Sequence, residues 1–594
     1  MSIAQQSPPR GASEAADRPA PTRVGRRADL TVTVVFAVVA LGLTSGLWLD
    51  PGHRVLAHNQ GDQALFEWLL SYAAYALTHA VDPLWTTLLN SPDGVNLAVN
   101  TSDTVTGVVL APVTLTLGAP VAYATALTLN LALTPIAWYL LLSRTVIRSR
   151  LSAAVGAAVC GYGPGMMSHA NGHLNFTAEF VVPAIIWAVL GLRDPDRWLR
   201  RGLLLGVLVA VQYSLGAETL FFTALALAVF VATWAYQRRA AAREAAPVFL
   251  RGLGVAALVA VVLLAYPLWL QFAGPQRYHG TGFDQRAHSE DLLAFGAFPH
   301  QSLAGALGFA SRLAVNLTEE NSFFGLPLLI VVVAGAVALR RRVPVRALMV
   351  TAGVAALLAL GPRLKVAGHR TPVPLPYAAL AKLPLFDSGL PGRLALVLLP
   401  IAGVLVALML DRLPPLPRST RRGWLLALAV ALLPLVPVPL ATTPRAPVPV
   451  FISSGDWRRY LPAGTALASV PPASDRNPDG QRWQAAARFG FAIPAGFFLG
   501  PGGPDGRGRI GPVPRPTAAL LTDVAAHGGE PVITEGDRAR ARADLAYWHA
   551  GLVVLSDGGP GSRWTPHHDE LLRTVTALLG PGRRVDDVWL WQVG

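Results

Sequence analysis

Acidic, amide and imidazole side chains gather in a few short stretches of an otherwise apolar chain of 594 residues. The first stretch reads His58-Asn59-Gln60-Gly61-Asp62-Gln63, followed later by Asn90-Ser91-Pro92-Asp93-Gly94-Val95-Asn96 and Asn100-Thr101-Ser102-Asp103. A carboxylate such as Asp62 at a membrane–water boundary can deprotonate a hydroxyl or hold a divalent cation. Asp62 is also well placed to cap the helix that follows, and Pro92-Asp93-Gly94 is an ordinary turn sequence. The cap and the reactive role are compatible.

The second stretch is Ser168-His169-Ala170-Asn171-Gly172-His173-Leu174-Asn175, with Glu179 just beyond. His169 and His173 would share a face if helical, as metal ligands sometimes do. Hydrogen bonding to a polar substrate and a solvated loop are the other readings, and Gly172 weakens the helix. The third candidate is Glu218, between two apolar blocks. It is either a functional ionisable group near membrane depth or part of a surface turn. Arg277, Tyr278, His279, Asp284, Arg286, His288, Glu290 and Asp291 crowd a loop of about fifty residues, and long loops are often functional. Arg393 opens an apolar block and suits either a phosphate partner or snorkelling to headgroups.

The elements that must position these residues are apolar helices. Hydrophobic residues make up 52% of the chain and charged residues 14%, well under the quarter or so usual in soluble domains. Apolar blocks lie at about 30–49, 103–118, 121–142, 151–168, 177–192, 202–217, 219–236, 250–272, 323–339, 345–361, 394–410 and 423–440. A polytopic bundle of about 11–13 helices is expected. Clusters such as Arg144/Arg148/Arg150, Arg340/Arg341/Arg342 and Arg421/Arg422 follow several blocks. If these are cytoplasmic, the loops 51–102, 273–322 and 362–393 and the tail after 441 lie outside. Two blocks between the first loop and Arg144 conflict with that assignment, which needs an odd number of crossings.

Residues 1–28 are rich in Pro, Ala, Ser and Arg and are expected to form a disordered cytoplasmic tail. Within the first loop, Leu65, Trp68, Leu69, Tyr72 and Ala76 keep helical spacing. That predicts an amphipathic helix lying at the membrane interface. Pro-rich residues 441–450 predict a stiff linker. Residues 451–594 mix short apolar strands with a helix at 568–579, the pattern of a small extracytoplasmic α/β domain. Net charge is +14, yet the arginines are dispersed at helix ends rather than gathered in one patch, which argues against nucleic acid. The single cysteine, Cys160, excludes a disulfide framework.

Gly61-Asp62, Asp93-Gly94-Val95-Asn96 with Asn100-Thr101, Gly172-His173-Leu174-Asn175 and Pro391-Gly392-Arg393 together resemble the GT-C membrane glycosyltransferases, nearest to their bacterial YfhO-like group. The likeness in layout covers about residues 30–412. It implies a plasma-membrane enzyme that moves a sugar from a polyprenyl phosphate to an envelope glycan, lipid or protein on the outer face. It further implies Asp62 as base on the acceptor hydroxyl. Arg393 would hold the lipid phosphate, and His173, Asn175 and Glu218 would orient sugar hydroxyls. Glu67, Asp93, Asn96, His169 and Arg277 complete the expected substrate-binding set. The family usually pairs acidic residues in this loop, whereas Asp62 is followed by Gln63 and then by Glu67. That departure bears on a Mg or Mn cofactor more than on sugar transfer.

Two other functions fit an apolar chain of this kind. A transporter or flippase would carry internal repeats and midplane charge, but no repeat is evident and the polar residues collect at the outer boundary. A non-catalytic scaffold of envelope assembly would use the C-terminal domain for docking.

Overall fold

The computed structural model describes residues 23–100, 103–413 and 415–593. The expected tail therefore lies largely outside the described residues. Its last part, from Arg23, belongs instead to the helix Arg23–Leu43. That helix start is anchored where the Asp29 carboxylate accepts from Arg150 and, at 2.9 Å, from Arg144.

Among the described residues four helices are long and apolar enough to cross a membrane: Ala119–Thr145, Trp198–Gln237, Arg239–Ala273 and Pro391–Arg412. Val182–Gly191, Leu326–Leu339 and Val343–Ala359 are shorter apolar helices. Leu258, Val261, Val262 and Leu263 stand well exposed on Arg239–Ala273. Such a face is costly in water and suited to lipid, and the backbone behind it is satisfied within the helix. The block at 103–118 forms two short helices, Thr104–Val109 and Ala111–Leu117, rather than one span. One helix long enough to cross, Ala119–Thr145, then remains between the first loop and Arg144.

The amphipathic helix of the first loop is Gln60–His79, and most of its residues are buried. The aromatic face expected to meet headgroups is packed against protein, covered by the C-terminal region. Trp68 stacks on Tyr72 and meets Phe489 edge-on, and its Nε1–H donates to Gln484 Oε1 at 2.7 Å. An aromatic residue with a polar tip satisfies a protein partner as well as it satisfies a headgroup, so the spacing alone does not separate the two.

The Pro-rich linker is likewise tied down. Thr442–Pro444 pairs antiparallel with Arg54–Leu56 of the first loop. Beyond it, the C-terminal α/β domain holds a four-stranded sheet. The order is Arg583–Val585, Val588–Gln592, Ala550–Ser556, Ala466–Val470, and the last two strands run parallel. Ala466–Val470 and Ala550–Ser556 are buried throughout, as expected of strands covered on both faces. Helices Pro516–His527, Glu535–Tyr547 and His568–Leu579 pack on this sheet through Leu521, Leu545, Leu571 and Val575.

Candidate active site

Asp62 is the third residue of the first-loop helix. The helix is capped not by Asp62 but by Asn59, whose Oδ1 accepts the Asp62 N–H at 3.2 Å. The Asp62 carboxylate is thereby left free of capping. It accepts from Asn59 Nδ2 and stands 3.1 Å from His173 Nε2. Burial alone would raise its pKa. The hydrogen bonds from His173 and Asn59 and the positive charges of His173 and Arg393 overcome that and hold it below the ordinary Asp value. A helix N-terminus favours the same ionised form.

His173 is brought there by a tight turn. The helix Pro164–His169 ends, and the chain reverses through Asn171-Gly172 into the short helix Leu174–Thr177. Gly172 has φ +142°, and a Cβ at this position would fall 2.9 Å from Asn59 Nδ2. The absence of a side chain therefore lets the turn close on the capping residue. His169 Nδ1 lies 2.7 Å from His173 Nδ1. Burial pushes the His169 ring well below its usual pKa, so it stays neutral. Its bond to His173 orients that ring so that Nε2–H points at Asp62.

A second group adjoins the first. Glu319 ends the 3-10 turn Leu317–Glu319 and lies 4.0 Å from His173 Nδ1. Arg393 donates to Glu319 Oε1 through Nε at 3.0 Å and through Nη2 at 2.5 Å. Its Nη1 donates to Glu218 Oε2 at 2.9 Å, and its guanidinium lies 4.7 Å from the Phe176 ring centre. Burial works against the Glu319 charge, but Arg393 outweighs it and holds this carboxyl far below the ordinary range. Glu218 is presented by a break at Gly216 within Trp198–Gln237, where φ is −175° and ψ 95°. Glu218 Oε1 also accepts the Leu390 N–H at 3.3 Å. Asn175 is buried beside this group, its backbone carbonyl close against Gly216.

The fold thus brings together Asp62, His169, His173, Asn175, Glu218 and Arg393. It takes the other expected residues elsewhere. Glu67 forms a buried ion pair with Arg445 at 2.9 Å and accepts from Gln63. Asp93 is exposed and accepts the Tyr547 hydroxyl at 2.6 Å. Asn96 donates to the carbonyls of Leu270 and Pro275. Arg277 is exposed and donates to Ala273 O at 3.2 Å. Arg393, expected to receive a phosphate, is already neutralised by two carboxylates. Glu319 and Asn59 are the residues the sequence reading missed. An acidic pair, Glu319-Glu320, immediately before an apolar block was the available signal for the former.

Among the described residues no group of three or more His, Cys, Asp or Glu side chains is arranged to hold a metal ion. Arg393 donates to Glu319 from both Nε and Nη2, so that carboxylate is already paired.

This architecture is a bundle of apolar helices, four of those described being long enough to cross a membrane, with a cluster of ionised side chains between them and a docked α/β domain. The chain belongs to the family described as Domain of unknown function (DUF6311), which matches residues 31–433. No curated protein matches the sequence. Among solved structures it is similar to the arabinofuranosyltransferase AftD from Mycobacteria, at 14% identity and a TM-score of 0.56, covering 97% of this chain and 40% of that one. That likeness shows the fold. The chain also matches the oligosaccharyltransferase of Archaeoglobus fulgidus, at 13% identity and a TM-score of 0.48, covering 89% of this chain and 69% of that one. A further match is ArnT from Cupriavidus metallidurans bound to undecaprenyl phosphate, at 14% identity and a TM-score of 0.42, covering 96% and 98%.

Proposed function

We propose that the protein is a bacterial plasma-membrane glycosyltransferase that moves a sugar from a polyprenyl-phosphate donor to a cell-envelope acceptor on the outer face. The observation that carries the reading is the Asp62 carboxylate, held ionised at a helix N-terminus by Asn59 and His173. Glycosyl transfer is also the activity named for AftD, whose fold this chain shares. Nearer kinship with the YfhO-like group is supported by the short motifs alone.

In the proposed step the acceptor oxygen bonds to the anomeric carbon as the bond from that carbon to the phosphate oxygen breaks. The acceptor proton passes to Asp62, and polyprenyl phosphate leaves with the bonding electrons. Asp62, with a depressed pKa, is a weak base. It takes the proton late, once the new C–O bond has made the hydroxyl acidic. His173 holds the carboxylate in position, and its N–H stabilises the charge before transfer. The Glu319–Arg393–Glu218 group fixes the wall beside His173 and offers carboxylate oxygens to sugar hydroxyls. Asn175 lines the same wall. The C-terminal domain, docked on the first loop, would lie on the outer side with it.

The test uses protein in nanodiscs, given radiolabelled polyprenyl-phosphate sugars and a membrane extract as acceptor source. Wild type should release free polyprenyl phosphate. Asp62→Asn should lose turnover by about two to four orders of magnitude while its thermal unfolding stays unchanged. Equal release by a folded Asp62→Asn variant would overturn the assignment.

A further inference from the structure

The N-terminal turn of the first-loop helix presents two opposite sides to its surroundings. Gln60 and Ala64 lie one turn apart, and Asp62 points about 180° around the helix from the line between them. Against the Gln60–Ala64 face lies a small cleft, partly open to solvent, whose remaining walls come from the linker and the C-terminal domain.

The lining is strongly cationic. Arg445, Arg476, Arg482 and Arg563 face the cleft, and Asp479 is the carboxylate among them. Asp479 is turned into the wall, where it accepts from Arg482 at 3.0 Å, Ser562 at 3.0 Å and Trp564 Nε1 at 3.2 Å. Arg445 is held by Glu67 and by the carbonyls of Pro51 and Gly52. Arg476 and Arg563 stand exposed at the mouth, and among the described residues neither forms an ion pair. Four guanidinium groups therefore meet two carboxylates. Arg482 registers the imbalance: burial and then the Arg445 charge lower its pKa, with Asp479 and Glu67 compensating in part. The positive end of the helix dipole, at Gln60, adds to the same potential.

We propose that this cleft binds a phosphate-type oxyanion, held jointly by the back of the helix that carries Asp62 and by the C-terminal domain. Planar guanidinium forks match the tetrahedral oxygens of such a group and exchange water for charge-assisted bonds. The site is separate from the reacting centre, because the helix lies between them. Contact across the seam is close: a Cβ at Gly61 would fall 2.3 Å from the carbonyl oxygen of Asp475, next to Arg476. A bound oxyanion therefore draws the Arg476 segment and the N-terminal turn of the catalytic helix onto one ligand. The phosphate can arrive free or on a lipid headgroup.

The experiment compares wild type with the double variant Arg476→Ala/Arg563→Ala. These are exposed positions whose truncation leaves the fold intact. In phosphatidylcholine nanodiscs, inorganic pyrophosphate should bind wild type and slow amide exchange at residues 60–64 and 476–482. The double variant should bind about tenfold more weakly or worse. In phosphatidylglycerol nanodiscs, protection without added pyrophosphate would identify a lipid headgroup as the source. Its absence there, with pyrophosphate still protecting, would identify a free phosphate. Asp62→Asn should bind like wild type, so failure of this site and failure of the transferase assignment are read separately. The proposal is overturned if neither pyrophosphate nor anionic lipid protects these segments, or if the double variant is protected as strongly as wild type.

Discussion

His173 Nε2 lies 3.1 Å from Asp62 Oδ2, joining a turn between apolar helices to the first residues of the first-loop helix. His173→Ala removes a donor to the carboxylate and the ring charge near it. Two of the influences that lower the Asp62 pKa vanish while burial, which raises it, remains. Polyprenyl-phosphate release should fall about 100-fold or more. The acid limb of its pH–rate profile should also move upward, because Asp62 then protonates at higher pH. An unchanged acid limb would show that His173 does not hold the carboxylate.

Arg393 binds two carboxylates, with side-chain exposures of 14% for Arg393, 6% for Glu319 and 25% for Glu218. Arg393→Ala strands the Glu319 charge in a poorly hydrated wall and should destabilise the protein by about 3–5 kcal/mol. The double variant Arg393→Met/Glu319→Gln should recover most of that loss, as read by thermal unfolding in detergent. Additive losses would mean that the pair is not coupled.

Glu290 is buried in the loop that carries Glu319, and burial pushes its carboxyl up to about 8. Ser322 Oγ donates to it at 2.5 Å. With a folded pKa above the unfolded value of 4.5, the folded state binds the extra proton. Stability is therefore full below that unfolded value and declines as pH rises through 8. Glu290→Gln keeps a carbonyl to accept from Ser322 and cannot ionise. Its melting temperature should match wild type near pH 5 and exceed it by roughly a few degrees near pH 9. A pH-independent difference would refute the protonated state.

Glu67 and Arg445 form an ion pair in which both side chains are about 5% exposed or less. It joins the first-loop helix to the linker of the C-terminal domain. Arg445→Ala leaves the Glu67 charge buried and should cost about 3–5 kcal/mol. It should also open the linker to protease near residues 442–450. If proteolysis there is unchanged, the pair does not hold the linker down.

Much of this protein was legible from its residues. Apolar blocks of near-bilayer length read as membrane helices, because an unpaired backbone in lipid is too costly, and among the described residues four helices are long and apolar enough to cross. The shift to mixed, Gly-rich sequence after 441 marked the α/β domain for a related reason: short apolar runs must find a sheet. Asp62, His173 and Arg393 stood out because ionisable groups at apolar boundaries are expensive to keep.

Their partners were a different matter. That Asn59 rather than Asp62 caps the helix depends on backbone angles at one residue. That Arg393 meets Glu319 and Glu218, and Glu67 meets Arg445, depends on segments brought together from far apart in the chain. Periodicity reports which face of an element is apolar, but not what covers it. The aromatic face of Gln60–His79 fits a headgroup layer as well as it fits Gln484 and Phe489. Local sequence determined the elements and the cost of each buried charge. Tertiary packing decided which opposite charge offsets it, since Coulomb attraction acts through space and is blind to order along the chain.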